Sequence, residues 1–421
     1  MRLITVNSGS SSLKLAVFES HTKHAGAKVS EPKALAFALV DRLGTAESTL
    51  TIVREPLGEV ILKASLANHL GVTSKDASKD DSRNISIAEL IRTLVSVLAS
   101  NGLTTEIDAV VHRVVHGGVA FDGPVIITPA VKEQINSFTP LAPLHQPANL
   151  LGIAAMEELF PAAQQMACFD TSFHRGHPWI ASTYALPHEL FEAGVRRYGF
   201  HGLSVEHVAR KLSQEFPALA KGRVIVAHLG SGASMCALKA GKSIASTMGF
   251  SALDGLTMGT RCGGIDPGVL LYLMQERKMA AADLSDLLYH KSGLLGLSGI
   301  SSDVRTLSNS ADPRAKAALD YFVYTALSAV GELASALCGI DAIVFTGGIG
   351  EHSSTIRAKI ISGLAWMGAS LDATNNETSM KSPGIKAITT KDSRILGLVI
   401  PADEELMMAI HGVDLFGVGQ P

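Results

Sequence analysis

The residues of this chain most able to do chemistry are two arginines beside paired glycines: Arg113 in HRVVHGG and Arg261 in MGTRCGG. A glycine-flanked turn can present a guanidinium inward, and its planar fork matches carboxylate and phosphoryl oxygens. Each arginine could equally serve in a structural ion pair. His201, in YGFHG, lies between an aromatic residue and a glycine. It can donate to a phosphoryl group or simply satisfy a core turn, and His145 in PLHQP has the same two readings. Asp170 closes the apolar run Gln165 to Phe169, so it can meet a metal or phosphate at a strand end, or cap a helix. His112 and His116 are four apart, but on a strand and outside an HExxH pattern, so zinc is not predicted.

A second signal is a turn of glycine and serine between two strands, and it occurs twice. The first copy is LITVNSGSSSLKLAVF, Leu3 to Phe18; the second is VIVAHLGSGASMCAL, Val224 to Leu238. Each reads as a buried strand, a tight turn and an alternating strand. Such a turn aims N–H groups and hydroxyls into one concavity fit for phosphate oxygens. Repetition predicts two similar halves facing each other across a nucleotide cleft. In the first copy the hydroxyls of Ser10 and Ser12 can bind phosphate, Asn7 can hold a metal or its water, and Lys14 can neutralise oxygens. A serine-rich hairpin with an exposed lysine is the alternative. Gly241-Lys242-Ser243 lacks the rest of a P-loop and reads as a hairpin turn. The stretch 347–350, GGIG, lacks the last glycine of a dinucleotide fingerprint; it reads as a tight turn near an adenosine, with Glu351 starting the next helix.

The elements that must position these groups fit an α/β enzyme. At 421 residues two domains are expected. Hydrophobic residues at 47% allow large buried sheets, and a net charge of −3 without a basic stripe excludes nucleic acid as a partner. The four dispersed cysteines suggest reduced thiols, and the chain enters a strand at once, which together predict a cytoplasmic protein. Tyr321 to Phe345 is the most apolar stretch, but Glu332 and Asp341 make it a core helix and strand rather than a membrane span. His21 to Lys33 and Thr73 to Asn84 read as surface loops. Helices are expected over Ile85 to Ser100, Leu150 to Leu159 and Ala315 to Cys338, with strands over Ala109 to Val115 and Ala342 to Thr346. The hairpin start of each half implies mixed sheets.

Ten motifs, NSGSSSLK, HRVVHGG, PLHQPAN, FDTSFH, YGFHG, HLGSGAS, MGTRCGGIDPG, SGISSDVR, FTGGIGEH and PADEEL, occur in order along nearly the whole chain. In this the chain resembles the acetokinase family. The resemblance implies a duplicated ribonuclease H-like (actin-like ATPase) fold: two domains with mixed β-sheets flanked by helices and an interdomain cleft. It places the first at 1–170 plus a helix at 405–421, and the second, which binds nucleotide and dimerises, at 171–404. It also implies reversible phosphoryl transfer from ATP to acetate, giving acetyl phosphate and ADP, with magnesium (or manganese), in a homodimer.

By the same resemblance, Asn7 and Glu404 position the metal. Lys14, Ser10, Ser12, the segment His228, Leu229, Gly230, Ser231, Gly232, then Asp303, Val304, Arg305, and Gly348, Ile349, Gly350, Glu351, His352 contact ATP. Arg113 and Arg261 hold acetate and the transferring phosphoryl group, His201 stabilises the transition state, and Asp170 is the carboxylate at the reaction centre. Val115, Leu144 and Phe200 line the methyl pocket. A carboxylic acid is already ionised at neutral pH and needs no base to attack phosphorus. Asp170 is therefore expected to orient the metal or Arg113. Ser231, Val304, Gly264 and His352 depart from the family pattern around the nucleotide. Ala252 replaces a usual pocket proline, which predicts room for propionate. Cys262, beside Arg261, is either a reactive thiolate or merely a small residue. Ser11-Ser12-Leu13-Lys14 also fits the SxxK of penicillin-binding hydrolases, but Leu13, Leu15 and Val17 alternate like a strand rather than opening a helix. An ATP-driven chaperone or filament protein of the same superfold would need an extension that 421 residues do not display.

Overall fold

The computed structural model describes residues 1–9, 12–20, 31–41, 43, 48–66, 86–379 and 384–416. Of the two polar stretches expected as loops, 21–30 and 73–84 lie outside those residues, and Lys33 already opens a strand. The chain divides into two units: Met1–Ser172 with Asp403–Pro421, and Phe173–Ala402.

The first unit is built on strands β1 (Arg2–Ser8), β2 (Ser12–Glu19), β3 (Lys33–Asp41), β4 (Thr49–Arg54), β5 (Glu59–Ser65), β6 (Ala109–Val114), β7 (Val125–Ile126) and β8 (Gln164–Phe169). They form one sheet in the order β5-β4-β3-β2-β1-β6-β8-β7. The hairpins β1 to β5 pair antiparallel, whereas β1, β6 and β8 run parallel. Alternation decides which face each side chain takes. Ile4, Val6, Leu13, Leu15 and Val17 join one core with Leu90, Ile91, Leu94 and Leu98. Those four lie at helical spacing on the helix Ile87–Ser100. It begins at a reciprocal cap between Ser86 and Glu89 and stops at Asn101, before Gly102 at φ 71°, as a C-terminal glycine signal predicts. The other face of the sheet takes the helix Glu404–Phe416. Its Gly412 allows close approach: a Cβ there would lie 2.9 Å from Val111 Cγ2.

The second unit carries β9 (Arg223–Leu229), β10 (Ala233–Lys239), β11 (Lys242–Ser246), β12 (Ala342–Thr346), β13 (Lys386–Ala387) and β14 (Leu396–Val399). Their order is β11-β10-β9-β12-β14-β13. Pairing by pairing, this sequence of antiparallel and parallel neighbours repeats β3-β2-β1-β6-β8-β7. The duplication seen in the two glycine–serine turns therefore extends to whole sheets. β10 is buried on both faces rather than alternating, because the long helix Pro313–Leu337 packs near it. That helix starts two residues before the expected Ala315, at Pro313 behind an Asp312 cap. It ends where Cys338 turns left-handed at φ 57°. Gly241 follows Ala240 in a hairpin turn, both at positive φ, so Gly241-Lys242-Ser243 is no phosphate loop. Among the described residues no helix is long and apolar enough to cross a membrane.

Candidate active site

In the first unit, Asn7 lies one residue before the end of β1 and pairs in register with Lys14 on β2, with Gly9 N donating to Ser12 O at 2.8 Å between them. Ser10 lies outside the described residues. Arg113 sits on β6, one residue before the strand ends, within the strand expected over Ala109 to Val115 and just ahead of the glycine turn. A β-strand alternates its side chains, and Arg113 falls on the face opposite His112 and Val114. Its neighbour β8 ends at Phe169, and Asp170 N donates to Val114 O at 3.1 Å. The carboxylate is thereby delivered beside the guanidinium. Arg113 Nε and Nη2 reach Asp170 Oδ1 and Oδ2 at 2.9 and 2.5 Å.

The third guanidinium nitrogen, Nη1, donates to Asn7 Oδ1 at 2.8 Å. Asn7 Nδ2 in turn donates to Glu404 Oε2 and to Glu405 Oε1, both at 2.9 Å. Glu404 Oε2 lies 3.7 Å from Arg113 Nε, and Glu405 Oε1 lies 3.8 Å from Lys14 Nζ. Asp170 is 1% exposed. Burial pushes its carboxyl up and Glu404 adds to this, while Arg113 opposes both. For Arg113, burial works against the cation, but Asp170, Glu404 and Glu405 outweigh it and hold its pKa above the ordinary value. Both Asp170 oxygens accept N–H groups, the arrangement of an ionised carboxylate. Three carboxylates then face two cations, Arg113 and Lys14, leaving one negative charge in excess. Hard oxygens from Glu404 and Asn7 within that excess are a donor set suited to magnesium, which needs only one or two carboxylates beside water and phosphate. Among the described residues no cluster of three or more His, Cys, Asp or Glu side chains forms a metal cage. Glu405 was not singled out in the sequence. Its only signal is adjacency to Glu404 on the same helix, 398 positions from its partner Asn7. Nearby, Val115 is buried, with its N–H on Asn149 Oδ1, whereas Leu144 is exposed.

In the second unit the turn between β9 and β10 gathers the other candidates. His228 is the penultimate residue of β9, before Leu229, and Gly230 N closes the turn on Gly232 O at 3.0 Å. His201 stacks on His228 with ring centroids 4.2 Å apart and an interplanar angle of 18°. His201 Nδ1 bonds Ser234 Oγ at 2.8 Å, and His228 Nδ1 bonds Ser204 Oγ at 2.8 Å. A Cβ on Gly232 would lie 3.4 Å from His201 Nε2 and 3.7 Å from Arg261 Nη1. One imidazole and one guanidinium thus converge over this glycine. Arg261 Nη1 also donates to Ala252 O at 3.0 Å. Phe200, next to His201, is buried. Cys262 is no reactive thiolate: burial pushes its thiol up, and Sγ points to Gly263 O at 3.1 Å.

Gly347, at φ 77°, comes so near that a Cβ would meet Leu229 O at 2.9 Å and His228 Nε2 at 3.2 Å. Only glycine fits there. The next helix begins at this residue and not at Glu351: it spans Gly347–His352 and carries Gly348, Ile349, Gly350 and Glu351. Glu351 Oε1 accepts from Gly347 N and Ala402 N at 2.9 and 3.0 Å. The far end is held by Arg357, which was not anticipated. It is 1% exposed and donates to Gly350 O, Glu351 O, Asn376 Oδ1 and O, and Ser379 Oγ. Its sequence signal, a lone arginine in a helix, is indistinguishable from a surface residue. Asp303 caps the helix Val304–Ser308 through Thr306 N at 2.8 Å; Val304 is buried and Arg305 exposed.

The profile of the acetokinase family matches residues 2–410. The chain belongs to the acetokinase family. It is 45% identical over 414 residues to the acetate kinase of Methylocella silvestris, covering 98% of this chain and 97% of that one. To an acetate kinase of Rhodopseudomonas palustris it is 47% identical over 410 residues, covering 97% of each. Among solved structures, a propionate kinase from Francisella tularensis aligns with a TM-score of 0.82 at 34% identity, over 97% of this chain and 98% of that one. The acetate kinase of Porphyromonas gingivalis aligns with a TM-score of 0.79 at 36% identity, over 98% and 99%. The two mixed sheets flanked by helices are those of the duplicated actin-like ATPase fold.

Proposed function

We propose that this chain catalyses reversible, magnesium-dependent phosphoryl transfer from ATP to acetate, giving acetyl phosphate and ADP by direct in-line displacement. One local observation carries the reading: His201 Nε2 and Arg261 Nη1 converge over Gly232 at the glycine–serine hairpin of the second unit. Full-length similarity to acetate kinases supports it.

The chemical problem is one anion striking another. Acetate is ionised at neutral pH, and the phosphoryl oxygens repel it. Fixed positive groups that neither move nor deprotonate lower that barrier. Arg113 contacts the carboxylate, held in place by Asp170 and Asn7; Asp170 positions the guanidinium and takes no proton. Arg261 and His201 meet charge on the transferring phosphoryl group. Ser234 Oγ, 2.8 Å from Nδ1, can donate there and leave the His201 proton on Nε2 for that purpose. Lys14, Ser12 and Ser10 contact phosphate oxygens. The nucleotide lies along His228 to Gly232, Asp303 to Arg305 and Gly348 to His352. Asn7 and Glu404 hold magnesium, or manganese in its place, and the ion supplies charge neutralisation at the phosphates. Val115, Leu144 and Phe200 line the methyl pocket. The protein works in the cytoplasm as a homodimer joined through its second unit.

Ala252, whose carbonyl holds Arg261, leaves room for one more methylene, so propionate is also a substrate. The likeness to a propionate kinase supports this. One methylene is worth only about 1–3 kcal/mol of discrimination. Trapping acyl phosphate with hydroxylamine, using acetate, propionate and several phosphoryl donors, tests both statements. Hydroxamate should form with ATP and either acid; none with any carboxylate would end the proposal.

A further inference from the structure

Four polar side chains in the second unit are packed together away from the groups assigned above: His174, His177, Ser243 on β11 and Cys236 on β10. Ser243 Oγ is their hub. It lies 2.8 Å from His174 Nδ1, 2.6 Å from His177 Nε2 and 3.1 Å from Cys236 Sγ. His174 Nε2 lies 3.0 Å from Phe200 O. A carbonyl oxygen can only accept, so His174 carries its proton on Nε2. Burial holds His174 near pKa 4 and His177 near 3, so both rings are neutral at physiological pH. His174 Nδ1 is then bare and must accept the single Ser243 hydroxyl proton. The Ser243 oxygen in turn accepts from His177 Nε2–H, and Cys236 Sγ lies beside it with Ala237 O as a second acceptor at 3.8 Å. A nucleophilic role is excluded, because burial pushes the Cys236 thiol up to about 12.

The peptide this cluster grips leads directly into His201. That residue sits at φ 57°, a left-handed conformation costly for a residue with a Cβ. Such a conformation persists only where the surroundings over-determine it. Ser234 holds the His201 ring from one side. On the preceding side, Gly199 at φ 76° lies flat against His174, where a Cβ would be 2.7 Å from the ring. We propose that His174, locked in one tautomer by Ser243, is a positioning residue for His201, holding the Gly199–Phe200 backbone so that His201 Nε2 stays over Gly232. The inference rests on the catalytic reading of His201 given above.

Three variants test it: His174→Phe, His174→Gln and Ser243→Ala, each assayed for acyl hydroxamate formation with a thermal unfolding curve. His174→Phe removes the donor to Phe200 O, and kcat should fall about 10- to 100-fold, the usual effect of a misplaced group. KM for acetate and ATP should change little. Gln can donate to the same carbonyl, so His174→Gln should recover much of the loss, which a purely structural packing role would not produce. Folded His174→Phe with wild-type kcat, or Phe and Gln variants equally impaired, would overturn the proposal. Should His174→Phe fail to fold, nitrogen-15 shifts of labelled histidine decide it. Wild type should show His174 protonated at Nε2 alone, and Ser243→Ala, which takes the hydrogen-bond partner from Nδ1 and frees the ring to shift, should lower turnover. A mixed tautomer in wild type, or unchanged kcat in Ser243→Ala, sinks the idea. Absence of acyl phosphate from wild type would instead sink the functional reading, since the tautomer measurement needs no turnover.

Discussion

Replacing Asp170 by asparagine separates two roles for the buried carboxylate. If it positions Arg113, the loss can be worked from the contacts. Arg113 presents Nε–H and Nη2–H to the two Asp170 oxygens. Asparagine offers one oxygen and one NH2, so one guanidinium N–H loses its acceptor and meets another donor. A hydrogen bond to a charged group is worth about 1.5–3 kcal/mol. Asn7 Oδ1 still holds Nη1 and Glu404 still lies 3.7 Å from Nε, so the guanidinium tilts rather than leaves. At about 1.4 kcal/mol per tenfold, a loss of about 2–3 kcal/mol at the transition state predicts kcat lower by roughly 30- to 150-fold, with KM for acetate shifted much less. A double-mutant cycle with Arg113→Gln sharpens the test. Residues that act as one unit are non-additive, so the double variant should be scarcely slower than Arg113→Gln alone. Full activity of Asp170→Asn at saturating magnesium would refute the reasoning. Strictly additive losses would refute the positioning role and favour an independent proton transfer.

Two further outcomes are expected. The burial-lowered pKa values of His112 and His174, each near 4, lie below the ordinary 6.5. The unfolded chain therefore takes up these protons first as pH falls, and the stability they contribute is whole above about pH 6.5 and drains toward pH 4. By pH 5, above the range of most carboxylates, the loss should reach roughly 2 kcal/mol for each. Denaturant midpoints measured from pH 7 to 5 check this, and a flat series would contradict it. In Gly232→Ala the new methyl group would sit 3.4 Å from His201 Nε2, close but without a backbone clash. Folding should be unaffected and turnover about 100-fold lower; unaltered hydroxamate formation would show that the space over Gly232 is not where transfer occurs.

Much of the scaffold was legible because its signals are local. Strand–turn–strand patterns announced β1 to β2 and β9 to β10, and the apolar spacing of Leu90, Ile91, Leu94 and Leu98 announced the helix Ile87–Ser100. The mixed sheets followed from the hairpin at the start of each half. What escaped was set by distant partners. Arg113 lies in the expected strand, where it pairs with Cys168 on β8, but the buried carboxylate its guanidinium meets comes from 57 residues further on. Glu405 gave no more than its place beside Glu404, and Arg357 gave no sign at all. Each is buried only because a remote element arrives beside it: β1 for the first, the helix Ala373–Thr378 for the second.

The two hairpins show how one scaffold came to carry different chemistry. The first closes Ser8 on Leu13, the second Leu229 on Ala233, one residue tighter. The strands on either side of the turn keep the equivalent register, so the difference lies in which residue types occupy matching positions. In the first unit the register sets Asn7 across from Lys14, and the site there is a lattice of charge: a guanidinium, an ammonium and three carboxylates. In the second, His228 faces Ser234, and the site is made of imidazole rings, hydroxyls and glycines that let one arginine approach closely. The first arrangement suits anchoring a cation and a carboxylate, whereas the second leaves backbone N–H groups and an imidazole open to phosphate.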